Sequence, residues 1–115
     1  MYLRLLDARQ TLAEGRIDSA LVTFADALAR AERSGIPEDI LATASPYSQA
    51  LLDAGKIDEA SALAGRVAPW SDRDLRSALI EARVYEAMQN RDAAERARRR
   101  ARELAGERSI TAPIR

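Results

Sequence analysis

Apolar residues recur along this chain at the three- and four-residue spacing of amphipathic helices, and short polar turns break the pattern at regular intervals. The first helix, about Tyr2 to Glu14, places Leu5, Ala8 and Leu12 on one stripe and stops at Gly15. Asp18 is placed to cap the second helix, which presents Leu21, Phe24, Ala25, Leu28 and Ala31 on one face and ends at Ser34-Gly35 in a left-handed glycine. Pro37 suits the first turn of the third helix, where Glu38 and Asp39 complement the positive end of the helix dipole. That helix runs to about Ala54 with Pro46 inside it, which predicts a kink, or a restart with Ser45 as the cap. The fourth helix, Asp58 to about Ala68, is closed by Pro69. Ser71 and Asp74 form a near capping box for the fifth, about Asp72 to Gln89. The last spans about Asp92 to Ala105 and is ended by Gly106, leaving 107–115 as a frayed tail.

The turns themselves repeat. Gly15-Arg16-Ile17-Asp18-Ser19-Ala20 returns as Gly55-Lys56-Ile57-Asp58-Glu59-Ala60, and in degraded form as Gln89-Asn90-Arg91-Asp92-Ala93-Ala94. The spacings of 40 and 34 residues from Asp18 to Asp58 to Asp92 fall in the range where a helix pair stacks on a copy of itself. The extra residues of the longer period are expected around Pro46. The reading is all-α: three antiparallel helical hairpins, with units of about 2–36, 37–70 and 71–106.

Composition sharpens this picture. Of 115 residues 24 are Ala and only five are aromatic, so the helices must meet on small side chains; a β-sandwich would need more β-branched and aromatic residues. Hydrophobic content of 47% against 31% charged is globular. The chain has no Cys, which suits a reducing cytoplasm, and the sequence contains neither a secretory signal nor a membrane span.

These features resemble the tetratricopeptide repeat family, over about residues 2 to 106. In that family a helix A and a helix B are joined by a short turn, and small residues occupy the points where they touch. The matching residues are Ala8, Ser48 and Ala82 midway along helix A, Ala20, Ala60 and Ala94 one turn into helix B, and Ala27, Val67 and Ala101 later in helix B. The large residue between the last two sets is Phe24 only in the first unit, becoming Ala64 and Arg98. The Pro that usually closes helix B is absent from its usual place, with Pro37 and Pro69 nearby. The resemblance implies a right-handed α-solenoid, and the departures suggest the looser arrays found in bacterial signalling and transcription regulators. Because three units are the usual minimum for such a stack, the chain reads as a piece of a longer array or larger protein. Tyr2, Leu3 and Leu6 would then face a neighbour, or a second copy through the first helix.

Chemistry is sparse. Without His or Cys the common nucleophile and metal constellations cannot be assembled. The acid pairs Glu38-Asp39, Asp58-Glu59 and Asp72/Asp74 lie where helix starts want acids. Gly15 and Gly55 lack the Lys-Ser/Thr of a phosphate loop. No enzyme activity, metal or cofactor is expected. The resemblance places Arg9, Gln49 and Arg83 on a concave wall of A helices, with Arg76 upstream, where Arg could grip a carboxylate. It also implies a carboxylate clamp of Lys and Asn, but Leu5 and Ser45 stand at two of those places.

The zero net charge hides a polarised chain, −4 over residues 1–90 and +4 over 91–115. Arg96, Arg98, Arg99, Arg100 and Arg102 make the last helix basic, with Arg96, Arg99 and Arg100 as an alternative binding surface. The absence of interleaved aromatics and of helix-turn-helix spacing argues against nucleic acid. Trp70, between Pro69 and Ser71, is expected to fold back on neighbouring helices. Together these readings give a cytoplasmic protein-interaction scaffold that holds a protein or peptide in its groove. The alternatives are a regulatory arm whose basic helix meets an acidic partner or nucleic acid, and a self-association module.

Overall fold

The computed structural model describes the backbone of residues 2–111 and the side chains of residues 4–106. Within them the chain is all helical. The elements are α1 (Tyr2–Ala13), α2 (Ile17–Ser34), α3 (Pro37–Asp53), α4 (Ile57–Val67), a 3-10 turn (Ala68–Trp70), α5 (Leu75–Ala87) and α6 (Arg91–Thr111). None of these helices is long and apolar enough to cross a membrane. The packing divides the chain into two compact units, Met1–Ala60 and Ser61–Arg115.

The three repeated turns share one hydrogen-bond pattern. After α1, Gly15 N donates to Leu12 O at 2.9 Å and Arg16 N to Thr11 O at 3.1 Å. After α3, Gly55 N donates to Leu52 O at 3.0 Å and Lys56 N to Leu51 O at 2.8 Å. After α5, Gln89 N donates to Glu86 O at 3.0 Å and Asn90 N to Tyr85 O at 2.9 Å. This is the Schellman closure, in which a left-handed residue lets two amides reach back to orphan carbonyls. Gly55 supplies it at φ 75°, whereas Gln89 adopts φ 61° with a Cβ attached. The next helix then starts without a side-chain cap after Gly15, where Arg16 rather than Asp18 is the cap residue and Asp18 sits in the first turn.

In the first unit α1 packs on α2, α2 on α3, and α1 meets α3. Leu5 and Ala8 of α1 are buried with Ala20, Leu21, Phe24, Ala27, Leu28 and Ala31 of α2. Ala25 is exposed, at the edge of the stripe, and Ala27 takes the inward place. Phe24 stacks on Tyr47 of α3, ring centroids 5.7 Å apart and planes at 15°. α3 does not restart at Ser45; it is a single helix with Pro46 inside. Around the missing Pro46 N–H, Thr43 Oγ1 donates to Asp39 O at 2.9 Å and Ser48 Oγ to Ser45 O at 2.8 Å.

In the second unit α5 packs on α6 through Ala78, Ala82, Ala93, Ala94, Ala97 and Ala101, all buried. The segment before α5 is held by two side-chain bonds. Buried Ser77 Oγ donates to Val67 O at 2.6 Å, satisfying a carbonyl at the end of α4. Asp74 Oδ1 accepts from Arg76 N at 2.9 Å, so Asp74, not Ser71, caps α5, which starts at Leu75. Trp70 is half-buried in the 3-10 turn that follows α4. α6 does not stop at Gly106 but continues to Thr111, so the expected tail is helical over 107–111; residues 112–115 lie outside the described residues.

The nine small or branched positions of the repeat, Ala8, Ser48, Ala82, Ala20, Ala60, Ala94, Ala27, Val67 and Ala101, are all buried. Their burial leaves the turns as the places where the repeats differ in cost. A Cβ at Gly55 would meet no atom within 4 Å, so a substitution there is resisted by its backbone angle alone. Gln89→Gly is therefore expected to stabilise the chain by about 0.5–1 kcal/mol, and Gly55→Ala to destabilise it by about 1 kcal/mol. Urea titration of both variants checks the pair; equal and same-signed shifts contradict it.

Candidate functional site

The first unit contains a cavity of about 390 Å³ between α1 and α3. Arg9, Leu12 and Ala13 of α1 form one wall, and Pro46, Gln49, Ala50 and Asp53 of α3 the other, with Phe24 of α2 at its base. Arg9 and Gln49, which lie 40 residues apart at the repeat period, thus share one cavity. The turn after α1 ends that helix beside Ala13, and Phe24 is fixed by its stack on Tyr47. Ala13 and Ala50 are the small residues that leave the space open.

The polar groups of this cavity are unequal. Gln49 Nε2 donates to Asp53 Oδ1 at 2.9 Å, so the carboxylate is partly satisfied within α3. Arg9 is exposed and makes no hydrogen bond or ion pair to any described residue. An apolar slot with an uncommitted guanidinium at its edge can take an aliphatic or aromatic side chain together with a carboxylate.

Arg76 and Arg83 belong to the second unit. Arg76 is committed to Asp74, with Nε at 3.2 Å from Oδ1 and Nη2 at 3.1 Å from Oδ2, and so serves the start of α5 rather than a free surface. Arg83 is exposed and free of such bonds among the described residues.

The basic stretch of α6 separates into three groups. Arg98 reaches Glu86 at 2.6 Å and Glu95 at 3.4 Å, and Arg102 reaches Glu95 at 3.1 Å. Arg102's hydrogen bond, with Arg98 behind it, holds the Glu95 carboxyl below its ordinary value. Such a depressed carboxyl adds stability above its unfolded pKa and loses it as pH falls through the folded one. Arg96 and Arg99 are exposed and unpaired among the described residues.

Arg100 is a different case: unlike Arg96 and Arg99 it is ion-paired and only one third exposed. Its Nη2 lies 3.0 Å from Glu81 Oε2, a carboxylate only 5% exposed, and its Nε lies 3.6 Å from Asp72 Oδ1. That Nε is buried and has no hydrogen-bond partner among the described residues. The pair ties α6 to α5 beside the buried Ser77, Ala78, Ile80, Ala82 and Val84 of α5 and Ala97 and Ala101 of α6. In the sequence alone the arginines of α6 form one basic stretch. The available signal was Glu81, flanked by Ile80 and Ala82 on the apolar side of its helix, which demands a cation from another element.

No family model, curated protein or solved structure matches this chain.

Removing one partner of a buried ion pair strands the other charge, and Glu81→Ala is expected to destabilise the chain by about 3 kcal/mol. Because Arg100 is 33% exposed, water relieves part of the penalty, which places the effect at the lower end of the range. Arg99→Ala should change stability by less than about 0.5 kcal/mol. Denaturant titration of the two variants distinguishes them, and a larger loss for Arg99→Ala would contradict the division of the arginines.

Proposed function

We propose that this chain is a non-catalytic interaction scaffold, a tetratricopeptide-like solenoid of three helical hairpins that binds a peptide or helix in the groove between α1 and α3. The observation that carries the reading is the shared cavity of Arg9 and Gln49, residues one repeat apart on successive A helices. The identical closure of the three turns and the burial of the nine small positions support the repeat that such a groove requires. The mechanism is recognition alone: an apolar side chain displaces water from the slot lined by Leu12, Phe24, Pro46 and Ala50, while Arg9 pairs a carboxylate of the ligand. Arg83 offers a similar free cation on the third A helix, whereas Arg76 is held by Asp74.

The test uses peptides selected from a random display library on the immobilised full chain and then titrated by fluorescence anisotropy. Selected sequences should pair an acidic residue with a bulky apolar one. Arg9→Ala combined with Gln49→Ala should weaken them about tenfold or more with helicity unchanged, and Arg96→Ala with Arg99→Ala should do little. The reverse order would move the binding surface to α6 and overturn the groove reading.

A further inference from the structure

Formal charge divides along the same line as the packing. Residues 1–60 carry six basic and ten acidic side chains, net −4, and residues 61–115 carry twelve and eight, net +4. Each unit also leaves an apolar feature uncovered. On the second unit, Leu75 and Leu79 of α5 and Ala101 and Ala105 of α6 line a trough of about 350 Å³ whose rim is Arg98 and Arg102. On the first unit, α1 exposes Leu6 at 44% and, on the same helical stripe seven residues on, Ala13. Asp7 beside Leu6 is exposed and makes no side-chain bond to a described residue. The side chains of Tyr2 and Leu3 lie outside the described residues.

We infer that the trough of the second unit is the docking site for α1 of a second copy of this chain, giving a head-to-tail association. Leu6 enters between Leu75 and Leu79, and Asp7 meets the rim guanidinium of Arg102. Opposite net charges steer the acidic unit of one copy onto the basic unit of the next and oppose contact between like units. The present partner of Arg102 is Glu95, in a pair whose members are 62% and 47% exposed, so exchanging it for an incoming carboxylate costs little. A surface of one kind meeting a surface of another is a heterologous contact, which builds a ring or an open chain of copies rather than a two-fold dimer with one shared interface. Leu6 and Asp7 do not line the groove, whereas Ala13 borders both surfaces, so the variants that test this inference are placed at Leu6 and Asp7.

The experiment measures mass by multi-angle light scattering across a concentration series of the full chain, with circular dichroism as a check on folding. The unaltered chain should gain mass steadily with concentration, and more so at low salt. Leu6→Glu and Leu79→Glu should each remain monomeric, yet an equimolar mixture should form a dimer and nothing larger, because each variant keeps the surface the other lacks. Where Leu79→Glu fails to fold, Arg102→Glu takes its place: alone it should weaken association about tenfold or more, and Asp7→Arg in the same chain should restore it. An unaltered chain that stays monomeric throughout overturns the inference. So does a Leu79→Glu or Arg102→Glu chain that associates as the unaltered one does, or a mixture of the two Glu variants that remains monomeric.

Discussion

Close approach of helix backbones on alanine is the constraint from which the rest of this structure follows. Ala8, Ala20 and Ala27 in the first unit, and Ala82, Ala94, Ala97 and Ala101 in the second, are buried where helices meet. Each buries little apolar area, so the stabilisation at about 25 cal/mol per Å² is modest per residue and relies on many contacts at short range. Such contacts are reached only if each helix turns back within a few residues. The left-handed closures at Gly15, before α2 packs on α1, and at Gln89, before α6 packs on α5, provide that turn, and the two features are therefore parts of one device.

Because alanine fills so little volume, what stands beside it decides the local chemistry. In the first unit Phe24 and Tyr47 supply the bulk, and the gap left by Ala13 and Ala50 becomes an open slot. In the second unit no aromatic takes the place of Phe24; Arg98 occupies it and turns to Glu86 and Glu95. There the interior is closed by Glu81 and Arg100 instead. Such a pair contributes less net stability than apolar packing would, and a shift of α6 along α5 by one residue would leave the buried Glu81 carboxylate without its partner. The two units thus differ, one holding an apolar pocket and the other a charged surface.

Helix existence was legible because the alternation of apolar stripes and turn residues is strong, and the ends fixed by backbone chemistry, Gly35 and Pro69, fell where their residue types require. Ends assigned by side-chain type were less secure. Asp18 and Ser71 are good caps by residue type, yet α2 starts after Arg16 with no side-chain cap bond, and α5 is capped by Asp74, because the backbone path of the preceding turn decides which residue reaches the orphan amides. Gly106 halts a helix only where the chain must turn left-handed, and here it lies inside α6. Arg9 and Gln49 could be paired in advance because the repeat period relates them. Glu81 and Arg100, 19 residues apart, could not, because only the packing of α5 on α6 sets that distance.

The groove between α1 and α3 is the center of the functional account, and its most direct test is a map of amide chemical shifts in the isotope-labelled chain as a selected acidic-apolar peptide is added. The account predicts that the perturbed amides cluster around Arg9, Leu12 and Ala13 of α1 and Gln49, Ala50 and Asp53 of α3. Perturbations confined to α6, around Arg96 and Arg99, with α1 and α3 unchanged, would contradict it.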